Sequence, residues 1–284
     1  MYPLIVAFHK IIPDTYIQHP YFWNALCTPY TNFVSFIESL YQENFAFIGL
    51  HELEYAMMNP KEHTVLLTFD DGYYNNILCA YPFLKSEKIP FVMALNGKCI
   101  ETRTWQWFDR IWYEGIRTQR NIEQTIAQIQ TFKYDIPALE KWLYIHPNPE
   151  SKTETERIFF DMASVEELKV LQNVSFVSHT YSHYILTALS QNGLEKELSQ
   201  NRDFFSKNNL KSENGYFILP NGTKKDFNSQ TTNFLIKMGT EYIFSMLPYT
   251  HDMHILARYT PTQPTWQKEK KRYTWQRLIH KWLY

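Results

Sequence analysis

Short apolar runs recur along the chain, separated by polar and turn-forming residues. Residues 4–8 (Leu-Ile-Val-Ala-Phe) read as a strand covered on both faces, because a strand inside a parallel sheet loses the alternation of a half-exposed one. Phe33, Phe36, Ile37 and Leu40 then fall at helical spacing, with Thr31 or Asn32 as the expected cap. Strands follow at 45–48, 64–69 and 91–95, with helices at 52–58 and 74–87 between them. Strand and helix alternate in the order that builds a parallel α/β sheet.

The alternation breaks between about 101 and 160, where Trp105, Trp107 and Trp112, a polar helix near 121–132 and the prolines Pro137, Pro147 and Pro149 read as an insertion rather than a second domain. It returns at Ser164-Val165-Glu166-Glu167, a capping box opening a helix to about 172. A strand at 174–177, a helix at 194–207, a strand at 216–219, a helix at 227–238 stopped by Gly239 and a strand at 242–245 complete the pattern. About seven β/α units in one chain predict the α/β class and a distorted (β/α) TIM-like barrel over residues 1–265, with its site at the carboxyl ends of the strands. A C-terminal helix at 266–284 follows it.

Composition narrows the picture. The 284 residues are long enough for one sizeable core, and a formal charge of −1 gives no global attraction to nucleic acid, so no nucleic-acid partner is expected. An aromatic content of 17% suits a packed chain and stacking on sugar rings. Cys27, Cys79 and Cys99 show no CxxC spacing and read as buried thiols. The first residues lack the features of a signal peptide, and no stretch approaches the roughly 18 to 20 apolar residues of a membrane span, so a cytoplasmic location is expected. Residues 268–284 carry Lys268, Lys270, Lys271, Arg272, Arg277 and Lys281 against Glu269, with Trp275, Leu278, Ile279, Trp282 and Leu283 at helical spacing. Such a basic amphipathic helix either makes a peripheral contact with the inner face of a membrane or docks on the barrel.

Asp70, Asp71 and Gly72 directly follow an apolar strand, which puts two adjacent carboxylates where barrels keep their catalytic groups. One can bind a cation while the other handles a proton; a plain Asp-Asp-Gly turn is the competing reading. His179 and His183, four apart after another strand, can share one face of a helical turn and converge on one ion. Two His and one Asp make a three-ligand set with open positions, suited to zinc and also to cobalt, nickel or ferrous iron.

Leu67-Thr68-Phe69-Asp70-Asp71-Gly72-Tyr73 and Ser178-His179-Thr180-Tyr181-Ser182-His183 together resemble the polysaccharide deacetylases, the NodB-homology group also called carbohydrate esterase family four. Ala7-Phe8-His9-Lys10, Ile89-Pro90-Phe91 and Phe217-Ile218-Leu219-Pro220-Asn221-Gly222 are similar to further segments of that family. The resemblance implies that Asp70 is the general base, that Asp71, His179 and His183 hold a divalent metal, and that the backbone N–H of Asn221, after Pro220, faces the oxyanion. His9 and Tyr73 are placed with the substrate-lining residues. Where many members open the last motif with Arg this chain has Ile218, and Arg258 resembles a late Arg that serves one branch of the family as partner of the base. The family's late Leu-x-His motif has no clean match, which leaves His251 and His254 as candidate general acids. Trp105, Trp107 and Asp109 open the insertion, with Trp107 either stacking on a sugar or packing inward.

The expected activity is metal-dependent removal of an N-acetyl group from an amino sugar or saccharide, with an intracellular precursor of surface polysaccharide favoured as substrate. The alternatives are a deacylase or deformylase of a non-sugar amide, and a carbohydrate-binding protein without turnover on the same fold.

Overall fold

The computed structural model describes residues 3–59, 63–248, 252–271, 273 and 274. Its strands are β1 (Leu4–Phe8), β2 (Lys10–Ile12), β3 (Cys27–Pro29), β4 (Ala46–Phe47), β5 (Thr64–Phe69), β6 (Phe91–Leu95), β7 (Val174–Ser178), β8 (Ser212–Ile218), β9 (Tyr242–Ser245) and β10 (Ile255–Ala257). Seven of them run β1-β5-β6-β7-β8-β9-β10 in one parallel sheet, with β4 paired to the start of β5, while β2 and β3 form a separate pair. Just beyond β10, the Tyr259 N–H donates to the Ile5 carbonyl (2.8 Å) and the Ala7 N–H to the Tyr259 carbonyl (2.9 Å). The sheet thus curls until its two edges almost meet, giving the distorted (β/α) barrel of the α/β class and leaving little open edge.

Period-two alternation of side chains explains why most of the sheet strands carry apolar residues on both faces. Ile5, Leu66, Val92, Ala94, Val177, Ile218 and Phe244 fill one cluster inside the ring. Their neighbours Leu4, Val6, Phe8, Val65, Leu67, Phe69, Phe91 and Met93 point outward, where they meet Phe33, Phe36, Ile37 and Leu40 of the helix Tyr30–Gln42. Each fully buried side chain of this kind contributes roughly 1.5 to 3 kcal/mol. This helix starts at least two residues earlier than its sequence suggested: Pro29 is its cap residue, and Thr31 instead bonds through its N–H and hydroxyl to the Asp14 carboxylate.

Helices Gly97–Thr102, Trp107–Arg117, Ile122–Phe132, Ile136–Ile145 and Glu154–Phe160 fill the segment between β6 and β7. The expected helix at 74–87 is in fact a π-helical turn, Asn76–Ala80, followed by an α-helix, Tyr81–Ser86. At the start of the tail, Trp266 is buried, its backbone N–H donates to Ser39 Oγ (2.6 Å) and its ring meets Phe36 and Phe45 edge-on; Lys270 pairs with Glu43 at 3.2 Å. The described start of the tail therefore docks on the helix Tyr30–Gln42, whereas Trp275, Leu278, Ile279, Trp282 and Leu283 lie outside the described residues. Among the described residues no helix is long and apolar enough to cross a membrane.

Candidate metal centre

Five strands end in a residue of interest. His9 follows β1, Asp70 follows β5, His179 follows β7, Asn221 lies in the turn after β8, and Arg258 follows β10. All of these ends face the same way because the strands are parallel, so the barrel gathers residues from distant parts of the chain at one mouth.

The Asp70 N–H donates to the Phe8 carbonyl (2.9 Å), which extends the β1-β5 ladder by one residue before the chain turns. Asp71 and Gly72 then both take left-handed backbone, with φ of 73° and 84°. Aspartate tolerates that region better than most side chains. A Cβ at Gly72 would lie 2.9 Å from the Leu95 side chain and 3.1 Å from that of Ile100, so glycine is needed there for space as well as for conformation. This reversal sends Asp71 inward beside Asp70.

His179 and His183 sit in a loop, not on the helical turn their spacing suggested. Thr180 and His183 adopt φ of 61° and 56°, and these two left-handed residues fold the loop back on itself. Buried side chains hold it: Asn96 Nδ2 donates to the carbonyls of His179 and Thr180, and the Ser182 N–H donates to Glu197 Oε2 at 2.7 Å. Asn201 Nδ2 donates to Ser178 Oγ (2.8 Å) and to the Leu95 carbonyl (3.0 Å). Sequence reasoning missed these residues. The signal was Glu197 and Asn201 on the same face of the helix Gln191–Lys207 as Leu194, Leu198, Phe204 and Phe205.

Asp71 Oδ1 lies 3.7 Å from His179 Nε2 and 3.4 Å from His183 Nε2, and one donor atom from each of the three residues lies within 4.8 Å of the others. The His179 Nδ1–H donates to the Ile218 carbonyl (2.7 Å), which fixes the ring and presents Nε2 to Asp71. Both Asp71 oxygens, His179 Nε2 and His183 Nδ1 are buried without a hydrogen-bond partner among the described residues. Such orphaned atoms cost about 1 to 3 kcal/mol each. Burial pushes His179 down to about 4 against the pull of Asp70, and holds His183 well below the usual histidine range. Neutral imidazoles are what a metal needs. Burial and the Asp70 charge raise Asp71 well above the carboxylate range, a penalty that a cation between the three side chains would reverse. The donor set and its orphaned atoms fit a divalent cation.

Asp70 has a different environment. Arg258 Nη1 and Nη2 donate to its Oδ1 and Oδ2 at 2.6 and 2.8 Å, a bidentate pair buried on both sides. Burial alone would raise this carboxyl, but the charge of Arg258 and its hydrogen bonds to Asp70 hold it far below the usual carboxylate range. His9 Nε2 lies 3.7 Å from Asp70 Oδ2, and its side chain, 21% exposed, reaches solvent where Asp70 and Asp71 do not.

Tyr73 and His254 do not stand where the sequence placed them, and Trp107 takes the inward-packing one of its two readings and not the substrate-binding one. Tyr73 is fully buried, with its hydroxyl donating to Asp109 Oδ2 (2.7 Å), so it lies behind the site and does not line it. Trp107 is 5% exposed and its Nε1–H donates to the His183 carbonyl (3.3 Å); it packs against the histidine loop and offers no face to a sugar. Trp105 is likewise buried, stacked on Phe160 at 4.5 Å. His254 precedes β10, and its Nδ1 meets the carbonyl of Glu241, just before β9, so it stands exposed at the amino ends of the strands, opposite the site. That position removes it as a general acid. His251 lies outside the described residues. The Pro220-Asn221-Gly222 turn is pinned to β9 by the Met246 N–H, which donates to the Gly222 carbonyl at 2.9 Å.

An α/β barrel with two carboxylates and two imidazoles converging at its mouth defines the class of the protein. A sequence profile of the polysaccharide deacetylases matches residues 58–243, about two thirds of the chain, and the chain belongs to that family. Its fold is similar to a structure of IcaB from Ammonifex degensii (17% identity, 96% of both chains, TM-score 0.59). It is also similar to the Streptococcus pyogenes deacetylase PplD in complex with acetate (15%, 92% of both chains, 0.60). A de-N-acetylase from Aggregatibacter actinomycetemcomitans aligns over 91% of this chain and 95% of its own (16%, 0.59). At these identities the likeness shows a shared fold. No protein of curated function matches the chain in sequence.

Proposed function

We propose that this chain is a metal-dependent N-deacetylase acting on an acetylated amino sugar or saccharide. One observation carries the reading: the buried side chains of Asp71, His179 and His183 converge, each with an atom that has no hydrogen-bond partner among the described residues, beside an aspartate, Asp70, that Arg258 keeps ionised. Membership of the polysaccharide deacetylase family supports the reaction class and the saccharide substrate.

Asp71, His179 and His183 would hold the cation, with zinc the first choice for two imidazoles and one carboxylate and cobalt, nickel or ferrous iron compatible. When bound, such an ion polarises the amide carbonyl and lowers the pKa of water toward roughly 7. Asp70 takes the proton from the attacking water, and its fork with Arg258 fixes which oxygen lone pairs remain available for it. The backbone N–H of Asn221 serves the developing oxyanion. As the amide C–N bond breaks, the leaving amine needs a proton. His9 is the partly exposed imidazole beside Asp70, and it relays to the amine the proton that Asp70 has taken from the attacking water, which returns both groups to their starting state. The products are acetate and a free amine.

Acetate release from N-acetylglucosamine oligosaccharides tests the reading. The metal-loaded chain should release acetate, and Asp70→Asn and His183→Ala should abolish release while remaining folded. Release that survives both substitutions would overturn the proposal.

A further inference from the structure

Behind the metal centre lies a buried ion pair that the proposed reaction does not use. Lys10 Nζ is 2.6 Å from Asp109 Oδ1, and the Tyr73 hydroxyl occupies Asp109 Oδ2 at 2.7 Å. All three side chains are buried, and the Lys10 ammonium also lies 4.4 Å over the Tyr73 ring and 5.3 Å over that of Phe160. A buried pair gains little net stability, because desolvating two charges offsets most of their attraction. Stability alone is therefore a weak reason to keep a lysine and an aspartate here.

Their neighbours suggest another reason. Lys10 directly follows His9, and Tyr73 follows the Asp70-Asp71-Gly72 turn. Asp109 stands in the first turn of the helix Trp107–Arg117, after two residues that both touch His183. Trp107 bonds to the His183 carbonyl at 3.3 Å, and the Phe108 ring meets the His183 ring edge-on at 5.1 Å. Three consecutive residues of one helical turn thus hold three separately encoded pieces of the site: the His9 turn, the aspartate turn and the histidine loop.

We propose that Asp109 is a positioning residue for the metal centre, tying the His9 and Asp71 segments to the insertion through Lys10 and Tyr73. This rests on the reading of Asp71, His179 and His183 as a cation site. Without the tie, the Asp71 turn and the His183 loop are free to drift apart, and the three donors lose their spacing. Supporting groups outside the ligand shell typically change metal affinity by about 10- to 100-fold when removed.

The test is zinc affinity, by calorimetry on the full chain, with the visible absorption of the cobalt-loaded protein and thermal unfolding recorded alongside. The variants are Asp109→Asn, the charge-free double variant Lys10→Met with Asp109→Asn, and Tyr73→Phe, which removes one hydrogen bond without stranding a charge. The double variant should unfold close to the temperature of the unaltered chain, yet bind zinc about 10-fold or more weakly and show an altered cobalt spectrum. Tyr73→Phe should show the same spectral change with a smaller loss of affinity, and it is decisive if the Asp109 variants fail to fold. Unchanged affinity and spectrum in the folded variants would overturn the positioning role while leaving the cation site standing. Failure of the unaltered chain to bind zinc or cobalt would take down both.

Discussion

Arg258 and Asp70, 188 positions apart, meet through two parallel hydrogen bonds of 2.6 and 2.8 Å with both side chains buried. Arg258 sits at the seam where Tyr259 joins the end of the sheet to β1, so closing the barrel is also what delivers its guanidinium to Asp70. Barrel closure and the charge state of the proposed base are one structural event.

Replacing Arg258 should therefore change the pH dependence of the reaction. Burial raises Asp70 and Arg258 lowers it by more, so the native carboxylate stays ionised far into acid. With Arg258→Met the burial is unopposed, the pKa rises, and the acid limb of kcat/KM should move up by about one unit or more. Arg258→Lys keeps a charge without the fork and should move it less. A limb that does not move in Arg258→Met would show that Asp70 is not the titrating base.

The same pair sets acid stability. A carboxyl whose folded pKa is depressed contributes stability fully above its unfolded value, 3.8, and loses it as pH falls through the folded value. Arg258→Met strands a buried carboxylate and should cost about 3 to 5 kcal/mol near neutral pH, a loss that shrinks as acid protonates Asp70. Chemical denaturation at pH 7 and pH 4 measures the difference, and an equal loss at both would contradict the assignment.

His9 and His254 separate the two ends of the barrel. His9→Gln should lower kcat by about 100-fold or more with zinc affinity retained, since it removes a proton donor and no ligand. His254→Ala, at the amino ends of the strands, should leave kcat and KM unchanged. Steady-state kinetics on the two variants decides, and the reverse pattern would relocate the acid.

Gly222 joins the turn that carries Asn221, the proposed oxyanion donor, to β9. Its φ is 68°, and an added Cβ would stand 2.9 Å from the Met246 nitrogen, a backbone atom that cannot swing aside. Gly222→Ala should cost about 1 to 2 kcal/mol for the left-handed backbone, plus the contact, and should lower kcat more than it raises KM. An unchanged melting temperature and kcat would show that the turn tolerates displacement.

Zinc should also stabilise the fold. At 100 times its dissociation constant a ligand bound only by the folded state adds about 2.7 kcal/mol, so zinc should raise the melting temperature of the native chain and leave that of His179→Ala unchanged.

The barrel was legible because its strands are largely buried on both faces: residues 64–69, 91–95 and 242–245 are mostly apolar, and each forms the strand expected. Asp70, Asp71, His179 and His183 were legible because each pair directly follows such a run. The path between the histidines was not, since Thr180 and His183 take left-handed backbone that spacing cannot reveal. Trp107 was ambiguous because an indole serves a sugar or a core equally well, and the His183 carbonyl decided it. β2, β3 and β10 are three residues each, too short for periodicity to register. The ion pair of Lys10 and Asp109 spans 99 positions, and only the folding of the insertion onto the barrel brings the two together.

Acetate release from an N-acetylglucosamine oligosaccharide, measured on the chelator-stripped chain before and after adding back one equivalent of zinc, addresses the central claim most directly. The account predicts no release from the stripped chain, restored release with zinc, and none from Asp71→Asn under either condition. Equal release before and after zinc would contradict it.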